Sequence, residues 1–267
     1  MALLEASHLS KTFVSKRSLL GRVTARFTAV DDVSFTLNEG ETLSLVGESG
    51  AGKSTTGRLV LRLIEPDAGE IMFDGVNVRR LPAKDLRGIR RKMQMIFQDP
   101  FSSLDPHVPV IESVAEPLLV HFGTERRERL KRAAELFDRV GLGTATYERY
   151  PAELSGGQLQ RIAIARALTL EPKLIVCDEP VAALDVSVRA QVLNLMRELQ
   201  LERGIAYLFI SHDLALVEVI SDRVAVMSKG AIVEVADAEQ IYKSPQHEYT
   251  KALLSAIPVP VPKSLRK

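Results

Sequence analysis

The sequence is poor in cysteine and has almost no net charge. Cys177 is the only cysteine among 267 residues, which excludes a disulfide framework and a cysteine-held metal cluster. Thirty-five basic residues nearly cancel thirty-four acidic ones, and the net charge of +1 argues against wholesale binding of nucleic acid. This composition suits the reducing interior of a cell.

Long apolar runs are also absent. No stretch approaches the roughly 18 residues of a membrane-spanning helix. The N-terminus carries Glu5 and His8 where a secretory signal would be apolar. The 46% hydrophobic fraction is still enough to fill one sizeable core. We therefore expect a soluble protein that reaches a membrane only through a partner.

Short apolar runs alternate with helical patterns along the chain. This alternation predicts an α/β fold with a parallel, doubly wound sheet, into which a mostly helical segment at 108–170 is inserted. The run after residue 230 is expected to form a tail. Strands are predicted at 27–37, 41–47, 69–75, 93–97, 173–180 and 205–211, and helices at 55–64, 125–140 and 186–204.

The stretch "GESGAGKS" at 47–54 follows a predicted strand and opens a predicted helix, which is the context of a phosphate-binding P-loop. Its glycines let backbone N–H groups point at phosphates beside a helix N-terminus. Lys53 would reach the β- and γ-phosphates, and Ser54 would bind Mg²⁺. The predicted nucleotide contacts are Gly47, Glu48, Ser49, Gly50, Ala51, Gly52, Lys53, Ser54 and Thr55.

Two carboxylates follow a predicted buried strand. Asp178 would hold Mg²⁺, directly or through water, and Glu179 could polarise an attacking water as general base. The alternative is a pair of solvated acids at a strand end.

A second glycine turn, "LSGGQ" at 154–158, precedes an apolar helix. Ser155 is a good N-cap, and Gly156 and Gly157 would leave the first helical N–H groups uncovered for an anion. The alternative is an ordinary loop before a helix.

These stretches together resemble an ATP-binding-cassette (ABC) ATPase, since "LSGGQ" stands about 20 residues before "CDEP" and "ALD" and "SHD" follow. The resemblance implies a P-loop NTPase core with a mostly parallel sheet, an antiparallel β subdomain and an inserted α-helical subdomain. It implies one nucleotide-binding domain over 1–267. The core would occupy 1–98 and 171–230, the helical subdomain 99–170 and a C-terminal extension 231–267.

The resemblance also assigns roles. ATP and Mg²⁺ are the implied cofactors. Phe13 would stack on adenine, although an aromatic there could simply be core. Catalysis would rest on Lys53, Gln98, Glu179 and His212, and the metal ligands would be Ser54, Gln98 and Asp178.

In this family two cassettes face each other head to tail, so the second glycine turn would cap the γ-phosphate bound by the other cassette. Asp185 of "ALD" would lie at that interface. The implied contacts across it are Ser155, Gly156, Gly157 and Gln158.

Finer resemblance, in 15–27, 97–106, 178–196 and 244–260, points to the oligopeptide, dipeptide and nickel importers. It implies an ATPase that powers peptide import from the cytoplasmic face of the inner membrane as a peripheral subunit. Implied partners are membrane-spanning permease subunits, a second ATPase subunit of the same or another kind and, indirectly, a solute-binding protein. Alternatives are import of nickel or another small solute and, less in keeping with the sequence, a non-transport ATPase acting on nucleic acid.

Two surface features follow. Phe101 and Leu104 would offer apolar contact to a coupling helix of the permease. The basic run at 79–92 lacks interleaved aromatics, so we expect a solvated face near anionic lipid or a partner, and no nucleic acid.

Overall fold

The computed structural model describes residues 2–17 and 23–256, with only the backbone described at 15–17 and 23–24. Residues 18–22 of the segment 15–27, which carries part of the finer resemblance, and the proline-containing end at 257–267 lie outside these residues. The strands are β1 (Leu4–Arg17), β2 (Val23–Leu37), β3 (Thr42–Val46), β4 (Ala68–Phe73), β5 (Val76–Asn77), β6 (Met93–Ile96), β7 (Leu174–Asp178), β8 (Ala206–Ile210), β9 (Arg223–Ser228) and β10 (Ala231–Asp237). The α-helices are α1 (Lys53–Val60), α2 (Ala83–Arg90), α3 (Val110–Phe122), α4 (Arg126–Arg139), α5 (Gly156–Leu168), α6 (Val186–Arg203), α7 (Leu214–Ile220), α8 (Ala238–Lys243) and α9 (Glu248–Ser255).

The larger sheet has six strands in the order β10-β9-β3-β8-β7-β6, and all neighbours except β10 and β9 are parallel. Strands β3, β7 and β8 are buried along their whole length. Their side chains alternate between two cores because successive residues of a strand point to opposite faces. Leu174 and Val176 of β7 join the core shared with the N-terminal sheet, whereas Ile175 and Cys177 join the core shared with the helical segment.

The smaller sheet is antiparallel, in the order β2-β1-β4-β5. Strand β1 was not expected from the sequence. It carries several register shifts, which break the simple alternation that reveals a strand. Leu4, Leu9, Phe73 and other apolar residues of this sheet pack on the same core as α1.

Helices α3, α4 and α5 form the inserted helical part that the sequence predicted. Their core includes Val114 of α3, Phe137 of α4 and Ile162 of α5, and it continues into Ile96 and Ile175 of the sheet. The inserted helices are therefore anchored directly to the edge strand β6 and to its neighbour β7.

The C-terminal region differs from the expected tail. Residues 231–237 form β10, which pairs with β9, so the predicted boundary at 230/231 falls in the turn of a hairpin. Helices α8 and α9 then pack beside Val46, Val224 and Val226. The alternation in "AIVEVAD" was the sequence signal for this strand.

Candidate functional site

The predicted site residues follow four neighbouring parallel strands. Because the order is β3-β8-β7-β6, the carboxyl ends of these strands lie side by side at one edge of the sheet. The loop at 47–54 follows β3, His212 follows β8, Glu179 follows β7 and Gln98 follows β6. Open α/β sheets bind ligands at this edge.

The phosphate loop requires glycine at two close approaches. Gly47 has φ 147°, and a Cβ there would lie 2.1 Å from the Met227 carbonyl oxygen. Gly52 has φ 103°, and its Cβ would lie 2.1 Å from the Ala29 carbonyl oxygen. Gly52 is also the N-cap of α1 and supplies no side-chain cap, so the helix opens without covering its first N–H groups.

Lys53 spans the inside of this loop. Its Nζ donates to the carbonyl oxygens of Gly47, at 2.7 Å, and Glu48, at 2.8 Å. Burial lowers the pKa of Lys53, and the negative charges of Glu179, Asp178 and Glu48 oppose that shift. The Lys53 ammonium therefore lies within the loop, at the position from which it is predicted to contact the β- and γ-phosphates.

Ser54 and Asp178 are in direct contact. The Ser54 hydroxyl donates to Asp178 Oδ1 at 2.7 Å, and Arg58 Nη2 lies 3.9 Å from Asp178 Oδ2. Burial raises the pKa of Asp178, and the Ser54 hydrogen bond and the Arg58 charge act against that rise. A hydroxyl and a carboxylate are oxygen donors of the kind that Mg²⁺ prefers.

Glu179 brings the other predicted catalytic side chains together. Its Oε1 lies 2.9 Å from His212 Nδ1, and its Oε2 accepts from Gln98 Nε2 at 2.9 Å. Gln98 is thus bonded to Glu179 and not to the Ser54–Asp178 pair. Glu179 itself is held at φ 48°, and its N–H donates to the Ile210 carbonyl. Strained backbone of this kind is common at functional sites.

The second glycine turn is capped by its own side chains. Ser155 Oγ accepts from the Gln158 N–H at 3.3 Å, and Gln158 Oε1 accepts from the Ser155 N–H at 3.0 Å. Ser155 is therefore the N-cap that the sequence predicted, and the N–H that it covers is that of Gln158. Gly157 also has a packing role, because a Cβ there would lie 2.5 Å from Val188 Cγ1 of α6.

Asp185 caps the neighbouring helix α6. Its Oδ1 accepts from the Val188 N–H at 3.0 Å and from the Ser187 hydroxyl at 2.8 Å. The hydrogen bond from the Val188 N–H is the largest cause that lowers the pKa of Asp185, and the bond from the Ser187 hydroxyl acts in the same direction. Across the described ranges, no hydrogen bond joins the turn at 155–158 to the phosphate loop.

Phe13 lies on β1 directly opposite Phe27 of β2, and both rings are exposed, at 37% and 52%. Lys11 Nζ lies 5.7 Å from the centre of the Phe13 ring. Phe27, which sequence reasoning missed, lines a cavity of about 560 Å³ together with Ser49 and other residues of the phosphate loop. The signal for Phe27 in the sequence was an aromatic residue at the first position of the predicted strand 27–37.

A P-loop, a hydroxyl–carboxylate pair and a hydrogen-bonded glutamate at the carboxyl edge of a parallel sheet define the site of a P-loop nucleotide-binding protein. Comparison with protein families identifies the class further. The ABC transporter family matches residues 30–182, and the C-terminal region of oligopeptide/dipeptide transporters matches residues 233–267. The chain belongs to the ABC transporter family and is one of its ATP-binding cassettes.

Curated relatives cover nearly the whole chain. It is 55% identical over 97% of its length to the glutathione import ATP-binding protein GsiA of Pectobacterium atrosepticum. It is 53% identical over 97% of its length to the oligopeptide transport ATP-binding protein OppF of Bacillus subtilis. The chain spans 84% of OppF but only 42% of GsiA.

Solved structures confirm the fold class. A dimeric, post-hydrolysis ATP-binding cassette, MJ0796 bound to ADP and Pi, has a TM-score of 0.79 at 30% identity and covers 88% of this chain and 98% of that one. CbiO1 from Clostridium perfringens has a TM-score of 0.76 at 26% identity, with 91% of each chain covered.

Among the helices of residues 2–17 and 23–256, none combines the length and the hydropathy of a membrane-spanning segment.

Proposed function

We propose that the chain binds and hydrolyses ATP as the energy-supplying subunit of a peptide importer. The observation that carries the ATPase assignment is the meeting of Gln98, Glu179 and His212 through two 2.9 Å contacts, beside a phosphate loop. The three side chains follow the ends of β6, β7 and β8, and two of them contact the carboxylate of the third. A structural ion pair would need only two side chains.

Mg²⁺ fits the oxygen donors at the site. Ser54 and Asp178 would hold it, and the Gln98 amide oxygen would complete the protein ligands. Few protein ligands are expected, because Mg²⁺ at such sites also takes phosphate oxygens and water. When bound, it would neutralise charge on the phosphates.

The roles of this chain's own side chains follow from their contacts. Lys53 places a positive charge against the β- and γ-phosphates, and α1 presents N–H groups to the same oxygens. Glu179 would accept a proton from the attacking water as general base. His212 and Gln98 each contact one oxygen of Glu179 and would fix the orientation of its carboxylate. Both side chains would also lie close to the γ-phosphate.

A second cassette would complete the site. In the turn at 155–158, Ser155 and Gly156 are exposed and Gly157 and Gln158 are half-buried, and within the described residues the turn makes no hydrogen bond to the phosphate loop. Within the same residues, the N–H groups of Gly156 and Gly157 at the start of α5 make no hydrogen bond. We therefore infer that Ser155, Gly156, Gly157 and Gln158 cap a nucleotide bound by a facing subunit. The dimeric solved relative supports this arrangement.

Peptides are the cargo that the relatives favour. The match at 233–267 is to an oligopeptide/dipeptide transporter region, and OppF and GsiA are named for oligopeptide transport and glutathione import. The solute-binding protein and permease would select the substrate. This cassette would act at the cytoplasmic face of the inner membrane.

A groove lined by both apolar and charged side chains, Arg87 and Glu116 among the charged ones, offers a place for the permease. It has a volume of about 530 Å³, and Leu61, Phe97 and Val120 are among its lining residues. Phe101 is 42% exposed, but Leu104 is only 6% exposed and packs in the helical core. Leu104 is therefore not available for this contact, and Phe97, immediately before Gln98, takes its place.

The basic run at 79–92 is not a simple solvated face. Arg79 donates to the carbonyl oxygens of Asp67 and Gly69, and Arg90 donates to those of Leu61 and Arg62. These arginines cap loops of the fold, which accounts for part of the run without nucleic acid.

The test begins with the chain captured together with its membrane partner from a detergent extract after nuclease treatment. Its ATPase activity is measured with and without peptide and the matching solute-binding protein, with Lys53→Ala as the inactive control. We expect stimulation by peptide. Stimulation by Ni²⁺ instead would contradict the peptide assignment, and retention of nucleic acid across a salt series would favour the non-transport alternative.

A further inference from the structure

The C-terminal helix α9 touches the phosphate loop. The N–H of Glu48, the second residue of the loop, donates to the Tyr249 hydroxyl at 3.2 Å, although the two residues are 201 positions apart. In the described parts of the chain this is the one hydrogen bond made by the Glu48 N–H. Tyr249 belongs to the segment that matches the transporter C-terminal region, outside the match to the cassette itself.

Tyr249 is held firmly at this position. His247 caps α9, since its Nδ1 accepts from the Tyr249 N–H at 3.1 Å. The Glu234 carboxylate of β10 accepts from the N–H groups of Gln246, at 2.8 Å, and His247, at 3.0 Å. Tyr249 therefore reaches the loop from a helix start that is tied to the core sheet.

The same helix shares a core with the strand that leads into the loop. Tyr249, Leu253 and Leu254 pack against the cluster that contains Val46, the residue directly before Gly47. A shift of α9 would therefore move both an apolar neighbour of the loop and the hydrogen-bond partner of Glu48.

The Tyr249 side chain also borders space that a nucleotide would use. It lines the cavity of about 560 Å³ together with Phe27, Glu48, Ser49 and Lys229. Glu48, Ser49 and Gly50 are exposed to solvent, in contrast to the buried Gly47 and Ala51 that flank them. The Tyr249 hydroxyl thus restrains the loop where burial does not.

We propose that Tyr249 is a positioning residue of the nucleotide site, through which the C-terminal region holds the first turn of the phosphate loop ready for phosphate. The C-terminal region is then part of the nucleotide-binding apparatus and not only an appendage. This inference rests on the proposed nucleotide binding.

The test compares Tyr249→Phe with Tyr242→Phe in the full chain. Both changes remove one tyrosine hydroxyl that bonds to backbone, but the Tyr242 hydroxyl donates to the Leu214 carbonyl, away from the loop. Both keep the ring, so the packing of α8 and α9 is preserved. Binding of MgADP is measured by calorimetry, and hydrogen exchange of the Glu48 N–H is followed by NMR.

We expect Tyr249→Phe to weaken MgADP binding roughly three- to tenfold and to speed exchange at Glu48 by a similar factor, as loss of one neutral hydrogen bond would do. Tyr242→Phe should leave the MgADP affinity and the exchange at Glu48 unchanged, even if it lowers the melting temperature as much as Tyr249→Phe does. Unchanged MgADP affinity, or unchanged exchange at Glu48, in Tyr249→Phe would overturn the inference. Failure of the unaltered chain to bind MgADP would instead overturn the proposed function, and the exchange comparison would still decide whether Tyr249 restrains the loop.

Discussion

The phosphate loop at 47–54 and the glycine turn at 155–158 both end in a helix, but they are built in opposite ways. The phosphate loop has positive-φ glycines fixed against backbone carbonyls, and its helix α1 has no side-chain cap. The second turn has a reciprocal cap between Ser155 and Gln158, and its first two residues, Ser155 and Gly156, are exposed at the start of α5.

This difference shows how similar sequence elements can do different work. In the phosphate loop, the Lys53 ammonium already lies inside the loop and α1 begins without a side-chain cap, so an anion can bind without help from another chain. The second turn satisfies part of its own hydrogen bonding and presents only a rigid helix end. Under the proposed function, the phosphate loop binds phosphate within its own chain, and the second turn completes the site of a facing subunit.

The largest expected effect separates binding at the phosphate loop from the later chemistry. Glu179→Gln keeps the size of the side chain but removes the proposed general base, so ATP turnover should fall about 10²–10⁴-fold. Binding of MgATP should persist, because the phosphate loop is untouched. Phosphate release and calorimetry measure the two quantities.

If the cassette pairs with itself, Glu179→Gln should also accumulate as an ATP-bound dimer. Gel filtration with saturating MgATP checks this against the same variant with MgADP. Only monomer with MgATP would count against closure by a second copy.

Ser155→Arg tests the second turn alone. A bulky cation at the N-cap would obstruct a facing nucleotide, and turnover should fall about 10²–10³-fold, the loss typical of removing preorganised transition-state stabilisation. Affinity of the single chain for MgATP should stay within about twofold, since within residues 2–17 and 23–256 no hydrogen bond links this turn to its own phosphate loop. Equal loss of affinity would mean that the turn serves its own loop.

Matched glycine substitutions sharpen the contrast in stability. Gly47→Ala forces a Cβ to 2.1 Å from a backbone oxygen, whereas a Cβ on Gly156 meets nothing closer than Leu184 Cδ2 at 3.9 Å. The free energy of unfolding should fall by about 2–4 kcal/mol for Gly47→Ala. It should change by less than about 0.5 kcal/mol for Gly156→Ala. Urea denaturation of both variants measures the difference, and equal losses would be inconsistent with it.

The smallest expected effect concerns the cap of α5. Ser155→Ala removes the acceptor of the Gln158 N–H and should lower the free energy of unfolding by about 1 kcal/mol. Ser155→Asp, which keeps an N-cap oxygen, is the control. A loss of the same size in Ser155→Asp would show that capping is not the cause.

Local patterns predicted the parts of the site that are local. Lys53 and Ser54 follow from the loop sequence and its strand–helix setting, and the Asp178–Glu179 pair follows from a buried strand that ends in acids. The family resemblance assigned Gln98 and His212 to the site, but it did not predict that both contact Glu179, because contacts 81 and 33 positions apart depend on strand order.

Other features could not be predicted from short-range patterns. Strand β1 is hidden by its register shifts, and the burial of Leu104 depends on the packing of the inserted helices. Tyr249 reaches Glu48 only because α9 folds back beside β3. Each of these is set by tertiary contacts that a window of neighbouring residues does not contain.

The most direct measurement mixes two inactive chains, Lys53→Ala and Ser155→Arg. If the second turn completes the site of a facing subunit, a mixed dimer contains one site with both an intact phosphate loop and an intact turn. We expect ATPase activity to return to about a quarter of that of the unaltered chain, since random pairing in a two-fold dimer makes half of the pairs mixed with one good site each. No recovery, with mixed dimers present and the unaltered chain active, would contradict completion of the site by a second subunit.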